Sequence, residues 1–177
     1  HELLALFTSK NIEYTTAHLD AVDQNAQLTD VASDSREVTP GSLFVCKGAS
    51  FSPAYLTSAV EAGAAVYLCQ QSLAEELQAV APNVAAICVD DVRLAMAYAA
   101  AGVAGHPDKK LTTIGITGTK GKSTCSYMLR AILDGDEPYS KCGVIGGIEV
   151  FDGKDTQPAH NTTPEAPELW RHLKHAA

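Results

Sequence analysis

The sequence predicts an α/β protein with a largely parallel sheet, followed by the beginning of a second α/β unit. Three observations carry this. Short apolar runs alternate with helical segments between residues 43 and 103, the order that builds a parallel sheet. A polar break, Gly105-His106-Pro107-Asp108-Lys109-Lys110, interrupts the pattern. After it, an apolar run, a glycine-rich turn and a helix follow one another directly.

Residues 43–46 (LFVC) read as a short buried strand after the turn Thr39-Pro40-Gly41. Residues 53–62 read as a helix with Pro53 in its first turn and Gly63 at its end. Residues 65–69 (AVYLC) form the next strand. Ser72 and Glu75 have the spacing of a capping box for a helix through Val80. Residues 86–89 (AICV) are another strand, and Asp90 or Asp91 caps an alanine-rich helix through Val103. The second unit opens with a strand at residues 111–117 (LTTIGIT), and residues 125–133 continue a helix. Residues 142–151 are strand material containing a glycine pair. Asp152-Gly153 makes a turn, and residues 165–177 are helical with Pro164 at their start.

At 177 residues the chain suits one or two domains and buries a sizeable core. The net charge of −8 argues against a nucleic-acid-binding face. No apolar run approaches the roughly 20 residues that span a bilayer, so no membrane role is expected. The start HELLALF lacks the basic residues and cleavage site of a signal peptide. Cys46, Cys69, Cys88, Cys125 and Cys142 form no C-x-x-C pair; they fit unpaired thiols in a reducing, cytoplasmic compartment rather than a zinc site. The chain starts at His1 without methionine and stops one helix past its last motif, which reads as part of a longer protein.

Three segments can carry chemistry. In Gly118-Thr119-Lys120-Gly121-Lys122-Ser123-Thr124 the glycines let backbone N–H groups approach a phosphate, and the helix that follows offers its unpaired N–H groups and positive dipole end. Lys122 can reach outer phosphates, and the Ser123 hydroxyl can sit on Mg²⁺. The usual first glycine of such loops is replaced by Ile116. A lysine at a helix start, where the dipole disfavours it, argues for a ligand. Ser33-Asp34-Ser35-Arg36 offers acceptors, donors and a guanidinium fork for phosphate, although alone it reads first as a turn. Asn161-Thr162-Thr163-Pro164-Glu165 groups small polar side chains before a helix, and alone is equally a capped helix start. His160 and His106 read as loop and linker residues, and His172 to His175 as a solvated helix face.

Together these segments resemble the Mur ligases. The carriers are Asp34-Ser35-Arg36 with Pro40-Gly41-Ser42-Leu43-Phe44, then residues 117–124, then Asn161-Thr162-Thr163-Pro164-Glu165, which narrows the likeness to the MurE type. The resemblance spans residues 28–175 and reverses the two bland readings. It implies a UDP-binding N-terminal α/β domain over residues 1–108 and the start of a P-loop-type, parallel-sheet ATPase domain over residues 109–177. The rest of that domain and a third domain would lie beyond Ala177, so this piece alone is expected to be inactive.

The implied chemistry is ATP-dependent, ADP-forming amide synthesis in peptidoglycan precursor assembly. Phosphate from ATP activates the terminal carboxylate of UDP-N-acetylmuramoyl-L-alanyl-D-glutamate as an acyl phosphate, which the amino group of a diamino acid attacks. The resemblance gives ATP binding to Gly118, Thr119, Lys120, Gly121, Lys122, Ser123 and Thr124, a catalytic role to Lys122 and an Mg²⁺ contact to Ser123. It gives substrate binding to Asp34, Ser35 and Arg36 at the UDP end and to Asn161, Thr162 and Thr163 at the muramoyl-peptide end. Relatives often carry asparagine at position 120. Lys120 and the segment Lys47-Gly48-Ala49-Ser50-Phe51 lean toward the lysine-adding branch over the diaminopimelate-adding one. Two other readings compete. Folylpolyglutamate synthase carries an extra glycine between the loop lysine and serine, whereas here Ser123 follows Lys122 directly. A non-catalytic nucleotide-binding module is the second.

Overall fold

The computed structural model describes residues 2–21, 27–137, 142–159 and 161–177. The sequence expectation for His160 falls outside them. The chain divides into two compact units, His1–Ala104 and Gly105–Ala177.

The first unit is built on a five-stranded sheet in the order β1-β5-β4-β3-β2. Its strands are β1 (Tyr14–Ala17), β2 (Val31–Ala32), β3 (Leu43–Val45), β4 (Val66–Gln70) and β5 (Ala85–Val89). The four strands β2 to β5 run parallel, and β1 lies antiparallel on β5 at the edge. Strands β3 and β5 are buried along their whole length, as parallel strands covered on both faces must be. On one face Phe44, Tyr67, Cys69, Ala86 and Cys88 pack with Leu56 and Ala59 of α2 (Pro53–Glu61) and Leu77 of α3 (Ala74–Val80). On the other, α4 (Val92–Ala104) lies against β2, β4 and β5 through Ala95, Met96, Ala99 and Ala100, and α1 (Glu2–Ser9) packs on α4. The alanine-rich face of α4 lets the helix come close to the sheet.

Local signals act as the sequence suggests at α4, where the Asp91 carboxylate accepts from the N–H groups of Arg93 and Leu94 at 3.0 and 2.9 Å. The capping box at Ser72 does not form. Gln71–Leu73 wind into a 3-10 turn, the helix begins at Ala74, and Leu73 occupies the cap position without a side-chain bond. Ser72 therefore sits inside the turn, one residue too early to reach the first helical N–H groups. The thiols of Cys46, Cys69 and Cys88 are buried, whereas Cys125 is exposed. Burial pushes the Cys46 thiol up to about 12, so it stays protonated and inert.

In the second unit, α5 (Lys122–Asp134) follows the glycine-rich turn, and α6 (Ala166–Ala176) closes the chain. Between them β6 (Val144–Ile145), β7 (Glu149–Phe151) and β8 (Thr156–Pro158) form an antiparallel sheet. The expected strand material over residues 142–151 forms a hairpin at its glycine pair, folded at Gly146-Gly147-Ile148 and closed by Gly146 N donating to Glu149 O at 3.3 Å. The expected strand at residues 111–117 is not part of a sheet among the described residues, and Ile114 is 57% exposed. A strand needs a neighbour for its backbone hydrogen bonds, and apolar, β-branched composition alone does not supply one.

The expected solvated face at His172 is also corrected. His172 is buried, with Nδ1 3.6 Å from the buried Asp152 carboxylate, and His175 Nδ1 lies 3.3 Å from the same oxygen. Asp152 also accepts from the N–H groups of Lys154 and Asp155 in its own turn. His106 is part of the second unit rather than a linker, meeting Trp170 of α6 edge-on at 6.3 Å.

Candidate functional site

The glycine-rich turn places a helix start where an anion can be held. Gly118 and Gly121 take φ values of 144° and 79°, which a side chain would strain. Gly121 caps α5 with no side-chain hydrogen bond, and the first turn contains no acidic residue. The first bond within the helix runs from Cys125 N to Gly121 O at 2.9 Å. The N–H groups of Lys122, Ser123 and Thr124 therefore precede the helical ladder, aligned with its positive end. Space around Gly121 is open: a Cβ there would meet nothing within 4 Å.

Lys122 Nζ donates to Gly118 O at 2.8 Å, so the ammonium folds back across the turn it would share with a phosphate. Thr119, Lys120 and Thr124 are exposed beside it, and Ser123 is half-buried on the same first turn as Lys122. A glycine-capped helix start, a lysine spanning the loop and a hydroxyl next to it are chemically suited to a phosphate group. The Ser123 hydroxyl is a hard oxygen donor of the kind Mg²⁺ takes.

In the first unit, Asp34 caps the short 3-10 turn Ser35–Glu37, its carboxylate accepting from Arg36 N at 2.9 Å. The same carboxylate is forked by Arg36 Nε, at 2.9 and 3.1 Å, and by Nη2. The Arg36 bonds hold the Asp34 carboxyl down at about 2, and the same side-chain hydrogen bonds, with the Asp34 charge, raise Arg36 in return. The guanidinium side chain is 86% exposed, and its Nη1 edge lies outside the fork. Asp34 thus aims Arg36 at solvent with one edge available to an anion. Because the folded value lies below the ordinary 3.8, this pairing stabilises the fold above about pH 3.8 and is lost as pH falls toward 2. As an exposed pair, screened by water, it contributes little to stability.

Asn161, Thr162 and Thr163 are exposed and precede α6 by several residues. The helix begins at Ala166 with Pro167, not Pro164, in its first turn, and Glu165 is its cap. These three side chains are therefore not helix caps. Thr162 instead lies against the β6–β7 turn: a Cβ on Gly147 would stand 3.3 Å from Thr162 Oγ1 and 3.4 Å from its Cα. The sequence reading missed this contact; the glycine pair was its only signal. Asp34, Ser35 and Arg36 belong to the first unit, and the loop 118–124 and residues 161–163 to the second.

No family model matches the chain. It is 36% identical over 157 residues to "UDP-N-acetylmuramyl-tripeptide synthetase" of Latilactobacillus sakei, covering 87% of this chain and 29% of that protein. It is 38% identical over 151 residues to "UDP-N-acetylmuramoyl-L-alanyl-D-glutamate--2,6-diaminopimelate ligase" of Streptomyces coelicolor, covering 84% of this chain and 29% of that protein. Among solved structures, MurF from Acinetobacter baumannii matches with a TM-score of 0.54 at 25% identity, over 75% of this chain and 27% of that one. A diaminopimelate ligase structure matches in fold with a TM-score of 0.57 at 18% identity, over 92% of this chain and 34% of that one. The chain spans about 29% of the length of these curated relatives. No described helix is long and apolar enough to cross a membrane. On sequence relationship and fold together, the chain belongs to the Mur ligase family, in its MurE-type branch.

Proposed function

We propose that the protein carrying this chain is an ATP-dependent, ADP-forming ligase that adds lysine or diaminopimelate to UDP-N-acetylmuramoyl-L-alanyl-D-glutamate. One observation carries the reading: the glycine-capped start of α5, crossed by Lys122, occurs in a chain 36–38% identical to proteins named for that addition. Residues 1–108 are the nucleotide-sugar domain, and residues 109–177 begin the ATP domain.

An unactivated carboxylate is a poor electrophile, so the reaction needs phosphoryl transfer from ATP to make it an acyl phosphate. Catalysis of that transfer is mostly positioning and charge neutralisation. In this reading the N–H groups of residues 119–123 surround the phosphates, and the Lys122 ammonium exchanges Gly118 O for a phosphate oxygen. Ser123 would hold Mg²⁺, with Thr124 beside it, and the ion would neutralise phosphate charge. Arg36 presents its outer edge to the UDP phosphates, positioned by Asp34 and flanked by Ser35. Asn161, Thr162 and Thr163 receive the muramoyl-peptide.

The full-length protein should release phosphate from ATP only when UDP-N-acetylmuramoyl-dipeptide and a diamino acid are both present. Assays with lysine, ornithine and diaminopimelate identify the amino acid, and no ADP with any of them would sink the proposal. Arg36→Ala should weaken UDP-sugar binding by about 10- to 100-fold in titration calorimetry, the scale of a hydrogen bond to a charged group. ATP binding should stay within about twofold, since only local contacts of Arg36 are lost. Unchanged UDP-sugar affinity would remove Arg36 from the site.

A further inference from the structure

We propose that Gly147 is a positioning residue for the substrate loop Asn161-Thr162-Thr163, a role that rests on the muramoyl-peptide reading of that loop. The turn between β6 and β7 holds two adjacent glycines with different surroundings. A Cβ on Gly146 would meet nothing within 4 Å, whereas a Cβ on Gly147 would meet Thr162 Oγ1 at 3.3 Å, Cα at 3.4 Å and Cβ at 3.6 Å. Neither glycine has a positive φ. The backbone conformation therefore does not require glycine at 147; what a side chain there would disturb is the position of Thr162.

The turn is itself fixed. Gly146 N donates to Glu149 O at 3.3 Å, and Ala159 N donates to Ile148 O at 3.5 Å, so both the hairpin and the chain entering the loop are tied to it. Beyond the loop, Pro164 is buried. Residues 161–163 are exposed and carry no regular structure, so their placement depends on what lies behind them. At Thr162 that support is the bare backbone of Gly147. One methyl group there needs a shift of a few tenths of an ångström, and a branched side chain needs more. Displacement of about 1 Å at a substrate-positioning group costs on the order of 100-fold.

The test compares Gly146→Ala, Gly147→Ala and Gly147→Val in the full-length protein. Gly146→Ala should behave as the parent. Gly147→Ala should raise KM for UDP-N-acetylmuramoyl-dipeptide about threefold to tenfold, and Gly147→Val about 100-fold, with KM for ATP within about twofold. Deuterium exchange of a peptide covering residues 161–163, without substrate, should rise in the order Gly146→Ala, Gly147→Ala, Gly147→Val. An unchanged KM for the muramoyl-peptide, or an equal rise in both KM values, overturns the proposal. If Gly147→Val fails to fold, Gly147→Ala carries the comparison. If the parent does not bind UDP-N-acetylmuramoyl-dipeptide at all, the functional reading fails. The positioning role is then decided by exchange alone: no difference between Gly146→Ala and Gly147→Ala at residues 161–163 overturns it.

Discussion

Replacing Lys122 with alanine should abolish ligation, with a fall in kcat of at least about 100- to 1000-fold, while UDP-sugar binding stays within about twofold. Lys122 is the first residue of α5, and its ammonium reaches back 2.8 Å to Gly118 O across the glycine-rich turn. No acidic side chain in that helical turn competes for it. Under the proposed function this charge neutralises the transferring phosphate, and alanine removes it without altering Gly118 or Gly121. Lys122→Arg should recover little, because a planar fork cannot reproduce a point charge on a flexible stem. Steady-state kinetics with a parallel UDP-sugar titration separate the outcomes. Equal loss of turnover and UDP-sugar affinity would contradict the assignment of the two sites to different units.

The second large effect is on stability. Asp152→Ala should lower the unfolding free energy of the second unit by about 1–3 kcal/mol, the scale of hydrogen bonds to a charged group. The Asp152 side chain is 2% exposed and accepts from Lys154 N and Asp155 N at 3.1 and 3.0 Å, with His172 and His175 facing its other oxygen from α6. Burial pushes its pKa up, but the N–H donors and the two imidazoles outweigh that and leave it below the ordinary carboxylate value. A carboxylate lowered in this way adds stability above its unfolded value and loses it as pH falls through the folded one. The parent should therefore lose stability below about pH 3.8, and Asp152→Asn, which keeps an acceptor but no charge, should lose less over the same range. Urea unfolding at pH 7 and pH 3 measures both. An unchanged midpoint for Asp152→Ala would show that α6 is held by apolar packing alone.

The parallel sheet of the first unit was legible because each signal was short-ranged. Pro53 and Gly63 bracket α2, Asp91 caps α4, and the fully apolar runs at β3 and β5 can only be buried strands. The α1 helix and the antiparallel edge strand β1 escaped notice. The exposure pattern of Tyr-Thr-Thr-Ala is too weak to mark a strand, and only pairing with β5 makes it one. The opposite error arose at residues 111–117, where propensity suggested a strand that no described neighbour completes.

The candidate site divides in the same way. Sequence by itself determined the family, the α/β class and the glycine-rich turn that opens α5, because a turn, its glycines and the helix it opens are neighbours along the chain. Asp34 and Arg36 are likewise two residues apart, so their fork is a local event. Tertiary structure alone decided that Thr162 rests on Gly147, and that a buried Asp152 collects two histidines from 20 and 23 residues away. Those contacts depend on how a hairpin folds and where a helix docks. The cause is geometric: side-chain period and capping follow from backbone form within a few residues, whereas the free space at a glycine and the desolvation of a carboxylate are set by whichever distant segment packs against them.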